Sequence, residues 1–267
     1  MNMYLFEVRS LRKNTLIWIC AMIGLATLYL SIYPSIVSDA DGFRELLGNY
    51  PPAVQAILGI DLDTIASVNG FYAMIFSFIL LCGAIQAMNL GVSVFAKEYR
   101  NRTSDFVLVK PVSRSAILSA KLCAAYTVIA VTNVVYLLAV VGISHLFVSE
   151  QFDERLFILL NLSLFFIQLI FTALGTVISV FLKKLRNILP ISLGVVFGFY
   201  LIGALLAVGK EEEKLRFLSP FKYFDSSYVL KHRQYEVSYL ILSVVIIFIS
   251  IAVTYVVYNK KDIPTVN

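Results

Sequence analysis

The sequence predicts an all-α polytopic membrane protein with six membrane-spanning helices, and three observations lead to this fold class. Of the 267 residues, 59% are hydrophobic and only 15% are charged, whereas a soluble domain of this length needs more charge to cover its surface. Apolar runs close to the length that crosses about 30 Å of hydrocarbon recur along the chain. Basic residues are concentrated in alternate segments between these runs, as in the cytoplasmic loops of multi-pass proteins.

Six spans are predicted within a single transmembrane domain, residues 1–267. Their approximate bounds are 15–33, 71–95, 117–147, 157–182, 188–208 and 238–258. The third is longer than the hydrocarbon core requires, so we expect it to tilt or to project beyond the bilayer. Because the number of spans is even, both termini lie on one side of the membrane.

The distribution of Lys and Arg identifies that side as cytoplasmic. The N-terminus, loop 96–116, the KKLRN turn, the C-terminal tail and Lys121 hold 14 of the 22 basic residues but only 4 of the 17 acidic ones. The net charge of +5 therefore follows the membrane topology, with lipid as the neighbour, and predicts no nucleic-acid partner.

The N-terminal stretch NMYLFEVRSLRK is amphipathic and leaves two interpretations open. It is either an interfacial helix along the cytoplasmic leaflet or a simple extension of the first span with basic anchors. Its apolar face holds Tyr4, Leu5, Val8 and Leu11, and its basic residues are Arg9, Arg12 and Lys13.

Two outer segments are predicted to carry short structure of their own. Residues 34–70 contain amphipathic pieces interrupted by Pro51, Pro52 and Gly59. The loop 209–237 contains the aromatic stretch LSPFKYFD, which indicates either a re-entrant element before the sixth span or an aromatic belt at the membrane surface.

The interiors of the spans lack the buried charge that ion-coupled transporters need. Lys121, near the cytoplasmic end of the third span, is expected to reach the headgroups. The polar residues that remain are candidates for lining a pathway or for hydrogen bonds between helices. The pathway candidates are Ser77, Gln86, Asn89 and Asn133.

Two ridges of small residues predict close helix packing, within the chain or at a seam with a second copy. They are Gly83, Ala87 and Gly91 in the second span, and Gly194 and Gly198 in the fifth. The sequence contains no GxxxxGK[ST], HExxH or CxxC motif. We therefore expect no catalytic, cofactor-binding or metal-binding residue, and no energy source, in this chain.

Loop 96–116 is the densest patch of charge in the chain. Pro111 is expected to end one helical piece, and Ser113 or Ser115 to cap the helix that enters the third span. The sequence thus predicts a stiff charged element on the cytoplasmic surface, joined to two spans.

This loop resembles the permeases of the type-two family of ATP-binding-cassette exporters. The family pattern E-x-x-x-G-T-x-E-x-x-L-x-x-P-V-S-R, with a Lys seven residues later, is similar to the run from Glu98 to Arg114 followed by Lys121. Arg102 replaces the glycine of the pattern and Asp105 its second acid. The outer segment, LSPFKYFD and the tail YNKKDI also resemble family features.

The resemblance implies a six-helix permease of the bacterial cell membrane that pairs with a second, identical or related permease. It also implies a separate cytoplasmic ABC ATPase subunit, which binds ATP and Mg²⁺. The cargo that suits an uncharged pathway is an amphipathic or antimicrobial or cytolytic peptide, or a hydrophobic drug. The ATPase-coupling residues would be Glu98, Arg100, Arg102, Thr103, Asp105, Pro111, Ser113, Arg114 and Lys121.

Two other functions remain open at this stage. An ion-coupled secondary transporter or channel would move cargo without ATP. An accessory membrane subunit would accompany a transporter without forming its pathway.

Overall fold

The computed structural model describes residues 3–101, 113–148, 152–182, 187–208 and 215–260, and every regular element in these ranges is helical. We number the α-helices in chain order. They are α1 (Met3–Val37), α2 (Ala40–Gly48), α3 (Pro52–Leu58), α4 (Val68–Asn101), α5 (Arg114–Phe147), α6 (Glu154–Phe181), α7 (Leu189–Val208), α8 (Ser226–His232) and α9 (Val237–Lys260). Two short 3₁₀ helices, Arg216–Leu218 and Pro220–Lys222, precede α8.

The predicted number of spans is confirmed, since six helices in the described part of the chain are long and apolar enough to cross a membrane: α1, α4, α5, α6, α7 and α9. Their ends differ from the predicted bounds by a few residues, except in α1 and α4. Helix α1 begins 12 residues before its predicted span, and α4 continues six residues past residue 95. Helical hydrogen bonding does not stop where hydrophobicity does, so these two helices extend beyond the apolar spans that the sequence predicts.

Helices α4 and α6 form the centre of the bundle. In their most apolar windows 72% and 67% of residues are buried, against 17% in α9. The two helices pack extensively against each other. Helices α1 and α5 pack against this pair, and α7 and α9 complete the bundle. The core of the protein is therefore a central pair, and the peripheral helices turn most of their apolar surface outward.

The N-terminal stretch belongs to α1 and is not a separate helix. Helix α1 runs from Met3 to Val37 without a break, and it packs chiefly against α5. This continuity favours the interpretation of residues 3–14 as an extension of the first span. Whether they lie along the cytoplasmic leaflet stays a prediction.

The first outer segment forms the short helices α2 and α3, which the prolines and Gly59 delimit as expected. Pro51 precedes α3 and Pro52 is its first residue, where proline is tolerated. Gly59 follows the last residue of α3 with a φ of +67°. A left-handed residue of this kind commonly ends a helix, and glycine adopts it at no steric cost.

Candidate coupling and pathway sites

A cluster of amide side chains joins the central pair, α4 and α6, to α5 halfway along the bundle. Gln168 of α6 donates from Nε2 to Oε1 of Gln86 in α4 at 3.0 Å and accepts from Nδ2 of Asn133 in α5 at 2.5 Å. Gln86 donates in turn to the hydroxyl of Thr132 at 3.3 Å. Gln168 and Gln86 are buried. We call these four residues the amide cluster, and its closed hydrogen bonding favours the helix-joining interpretation of Gln86 and Asn133.

A second polar cluster, which the sequence analysis missed, lies nearer the outer end of the same helices. The hydroxyl of Tyr72 donates to Oδ1 of Asn161 at 2.6 Å and lies 2.8 Å from the hydroxyl of Tyr136. All three side chains are buried. Asn161 stands out in the sequence as a polar residue within a span, but nothing in the sequence pairs it with two tyrosines that lie on other helices.

Asn89 differs from the other polar residues of α4. It lies on the single stripe of α4 that is only partly buried, and its amide has no hydrogen bond to any residue in the described part of the chain. An unpaired amide facing hydrocarbon is costly, so this stripe is suited to water, cargo or another chain. We call it the accessible stripe; its half-buried members are Met74, Ser77, Phe78, Leu81, Cys82, Asn89 and Ser93.

Ser77, at the outer end of the stripe, lines a cavity of about 140 Å³. Its hydroxyl donates to the carbonyl of Met74 at 2.7 Å and is hydrogen bonded to Tyr200 of α7. The opposite wall carries Lys222 and Asp225, which form an ion pair at 3.3 Å. The cavity is thus partly polar, with its two charges paired with each other.

The aromatic stretch before the sixth span packs deep between α6 and α7. The hydroxyl of Ser219 donates to the carbonyl of Phe199 at 2.7 Å, and Phe199 is halfway along α7. Phe221 packs against Phe171 with ring centroids 5.2 Å apart, and Phe224 stacks on Phe166 at 5.1 Å. These contacts agree with a re-entrant element, although its depth in a bilayer stays a prediction.

Buried tyrosines hold this element in place. Tyr223 donates to the carbonyl of Phe217 and Tyr235 to the carbonyl of Leu159. Burial, with Tyr239 nearby, raises the pKa of Tyr223 to about 12. Burial also raises the pKa of Tyr235. Both hydroxyls therefore remain neutral donors at physiological pH.

Lys121 does not extend to the headgroups as the sequence analysis expected. Only 4% of its side chain is exposed, and its Nζ lies 3.1 Å from Oε1 of Glu7 and donates to the carbonyl of Val94 at 3.0 Å. Glu7 is 15% exposed. Removing one partner of a buried pair of this kind typically costs about 3–5 kcal/mol, because it leaves the other charge uncompensated.

We call Glu7, Lys121 and the carbonyl of Val94 the Glu7–Lys121 charge cluster. It joins α1, α4 and α5. The sequence offered a signal for it, since Glu7 is the only acid before the first span. The pairing itself was not predictable, because residues 7 and 121 meet only through the packing of α1 on α5.

The ends of loop 96–116 are the part of the predicted coupling element that the structure describes. Ser113 caps α5, accepting from the backbone NH of Ala116 at 3.3 Å, which confirms the first of the two predicted caps. Arg114 is the first residue of α5, and α4 carries Glu98 and Arg100 in its last turns. Arg102, Thr103, Asp105 and Pro111 lie outside the described residues, as does any helix between α4 and α5.

Comparison with known proteins gives one family and no close curated relative. A model of the family described as "ABC-2 family transporter protein" matches residues 1–263. No curated protein matches the chain. The match spans nearly the whole sequence and all six spanning helices. The chain therefore belongs to the ABC-2 family of transporter proteins, as a multi-pass permease subunit of an ABC transporter that requires a separate ATPase partner.

Proposed function

We propose that this chain is one permease of an ATP-driven exporter in the bacterial plasma membrane. It forms the pathway with a second copy of itself or a related permease, and a separate cytoplasmic ATPase, which holds ATP and Mg²⁺, drives transport. The observation that carries the proposal is the Glu7–Lys121 charge cluster, which joins the two helices that flank loop 96–116. A force applied to that loop would therefore reach three spanning helices together.

Loop 96–116 is the proposed ATPase contact, with both termini on the same cytoplasmic side. Two spanning helices lead directly into it, and Ser113 fixes the start of one of them. The dense charge of the loop suits a water-exposed protein contact better than a lipid one. Its proposed contact residues are Glu98, Arg100, Arg102, Thr103, Asp105, Pro111, Ser113 and Arg114.

The accessible stripe of α4 is the proposed pathway surface, and Asn89 is its best-supported polar residue. Gln86 and Asn133 are engaged in the amide cluster, so they are weaker candidates than they were in the sequence. Ser77 stays a candidate at the outer cavity. A stripe that mixes apolar side chains with one amide suits an amphipathic peptide, such as an antimicrobial or cytolytic one, or a hydrophobic drug.

The test is uptake into inverted membrane vesicles that contain the chain with its co-expressed ABC ATPase. A fluorescein-labelled amphipathic helical peptide and a hydrophobic fluorescent dye serve as probes. We expect ATP-dependent uptake of at least one probe, and none with the chain alone. Uptake driven by an ion gradient without ATP would identify a secondary transporter instead. ATP hydrolysis by the complex with neither probe transported would contradict the cargo proposal.

Charge reversal tests the proposed contact surface. We expect Glu98→Lys and Arg114→Glu each to reduce co-purification of the ATPase and the rate at which the complex hydrolyses ATP, because each removes an ionic contact at the loop. Glu154→Gln is the matched control, since Glu154 pairs with His145 in an exposed ion pair elsewhere on the surface. Wild-type ATPase binding and rate in both reversal variants would exclude the role assigned to this surface.

A further inference from the structure

We infer that Glu7 is a positioning residue for ATPase coupling: through Lys121 it holds α1 to the ends of α4 and α5 from which loop 96–116 extends. The ion pair and the Lys121–Val94 hydrogen bond form one continuous connection across the three helices. This deepens the proposed function, because it rests on loop 96–116 as the ATPase contact. It does not depend on the cargo or on the direction of transport.

The position of the cluster along the helices supports this role. Lys121 lies seven residues after Arg114, the first residue of α5, and Val94 lies seven residues before Asn101, the last residue of α4. Each is thus about two turns from the end of its helix. A displacement of the loop moves both helix ends, and the Lys121 side chain is one contact that transmits it to α1, beside the hydrogen bond from the Tyr4 hydroxyl to Thr127.

The chemistry of the cluster suits a connection that must hold its geometry. Lys121 reaches a carboxylate on one helix and a backbone carbonyl on another. Apolar packing alone would leave the three helices free to slide past each other by small distances. A buried ammonium has few alternative partners, because leaving either oxygen would expose its charge to a low-dielectric surrounding.

The cluster also adjoins the proposed pathway surface. A cavity of about 10 Å³, roughly the space of one water molecule, is lined by Glu7, Val94 and Lys121 together with Ser93 of the accessible stripe. Ser93 lies four residues, about one turn, after Asn89 on α4. The connection from loop to pathway is therefore short and runs through described contacts.

The experiment separates a positioning role from a merely structural one by comparing single with double neutralisation. The variants are Glu7→Gln, Lys121→Met and the double variant E7Q/K121M, each purified in complex with the ATPase subunit. The exposed ion pair between His145 of α5 and Glu154 of α6 supplies the control, Glu154→Gln. The readouts are the melting temperature of the complex and the ratio of its ATP hydrolysis rate to that of the isolated ATPase.

We expect Lys121→Met and Glu7→Gln to lower both readouts, because each leaves a buried group without its charged partner. The double variant has no unpaired charge, so its melting temperature should return toward wild type. Its rate ratio should nevertheless stay reduced by at least about fivefold, the lower end of typical coupling between sites. Glu154→Gln should change neither readout.

A wild-type rate ratio in the double variant would overturn the inference and leave the pair as a packing element. If a single variant fails to assemble, the double variant still decides, because it carries no buried unpaired charge. The rate ratio requires no cargo, so an absence of probe uptake by a wild-type complex that hydrolyses ATP would contradict the cargo proposal without affecting this result. Reversal of the loop charges could abolish co-purification of the ATPase while E7Q/K121M keeps the wild-type rate ratio. That pair of results would support the docking surface and contradict the role of Glu7.

Discussion

The two ridges of small residues have the same spacing in the sequence and opposite surroundings in the structure. On α4, a Cβ atom at Gly91 would overlap the carbonyl oxygen of Thr172 and would lie 3.0 Å from the Cα of Gly175 on α6. On α7, a Cβ atom at Gly194 or Gly198 would meet nothing within 4 Å in the described part of the protein. One ridge is a backbone-to-backbone contact and the other is open surface.

The difference shows that such a ridge specifies a smooth helix face but not its partner. Helix α6 has a glycine of its own, Gly175, opposite the α4 ridge, so the two backbones approach closely. Among the described residues, helix α7 has no glycine opposite its ridge. Close approach in a membrane requires small residues on both helices or a second helix that can accept a flat face.

The largest expected effect comes from filling the contact between α4 and α6. We expect Gly91→Leu to leave no stably folded protein, because the side chain meets backbone atoms that cannot move aside; overpacking of this kind costs about 3 kcal/mol or more. The measurement is the monodisperse fraction after detergent extraction, by fluorescence-detected gel filtration. Gly198→Leu makes the same change on the open ridge and should extract normally, and equal losses in the two variants would contradict the comparison.

A moderate effect is expected from the amide cluster, which joins the same helices by hydrogen bonds. Gln168→Leu should lower the free energy of unfolding by about 1–3 kcal/mol, because the amides of Gln86 and Asn133 each lose a buried partner. Denaturant titration of the detergent-solubilised protein measures it. Asn89→Leu is the matched control, with no hydrogen bond to lose among the described residues. Greater destabilisation by Asn89→Leu than by Gln168→Leu would show that the accessible stripe is covered.

The smallest expected effect sharpens the contrast between the ridges. Gly198→Ala adds one methyl group to open space and should change the free energy of unfolding by no more than about 0.5 kcal/mol. Gly91→Ala, with the same methyl group against backbone, should cost about 1–3 kcal/mol. The two variants are compared in parallel denaturant titrations. A ratio near one between their effects would mean that α7 is packed against something that this chain does not supply.

Local patterns predicted those parts of the fold that depend on neighbours in sequence. Hydropathy located the six spans, and the run Pro-Val-Ser-Arg placed the cap of α5 at Ser113 or Ser115, of which the structure uses Ser113. The same reasoning left Gln86 and Asn133 open between a pathway and hydrogen bonds that join helices. It predicted that Lys121 reaches the lipid headgroups, because a long basic side chain two turns from a helix end ordinarily does so.

By itself, the sequence determined the membrane environment, the number of spans and the charged loop between the second and third spans, because each follows from the composition of continuous segments. Only the tertiary structure decided that α4 and α6 are the central pair, that Glu7 meets Lys121 and that Asn89 has no hydrogen-bond partner among the described residues. The physical reason is distance along the chain. The hydrophobic effect does not distinguish one apolar helix face from another. Which helices pack together is therefore decided by close packing and by buried polar groups that each have few acceptable partners.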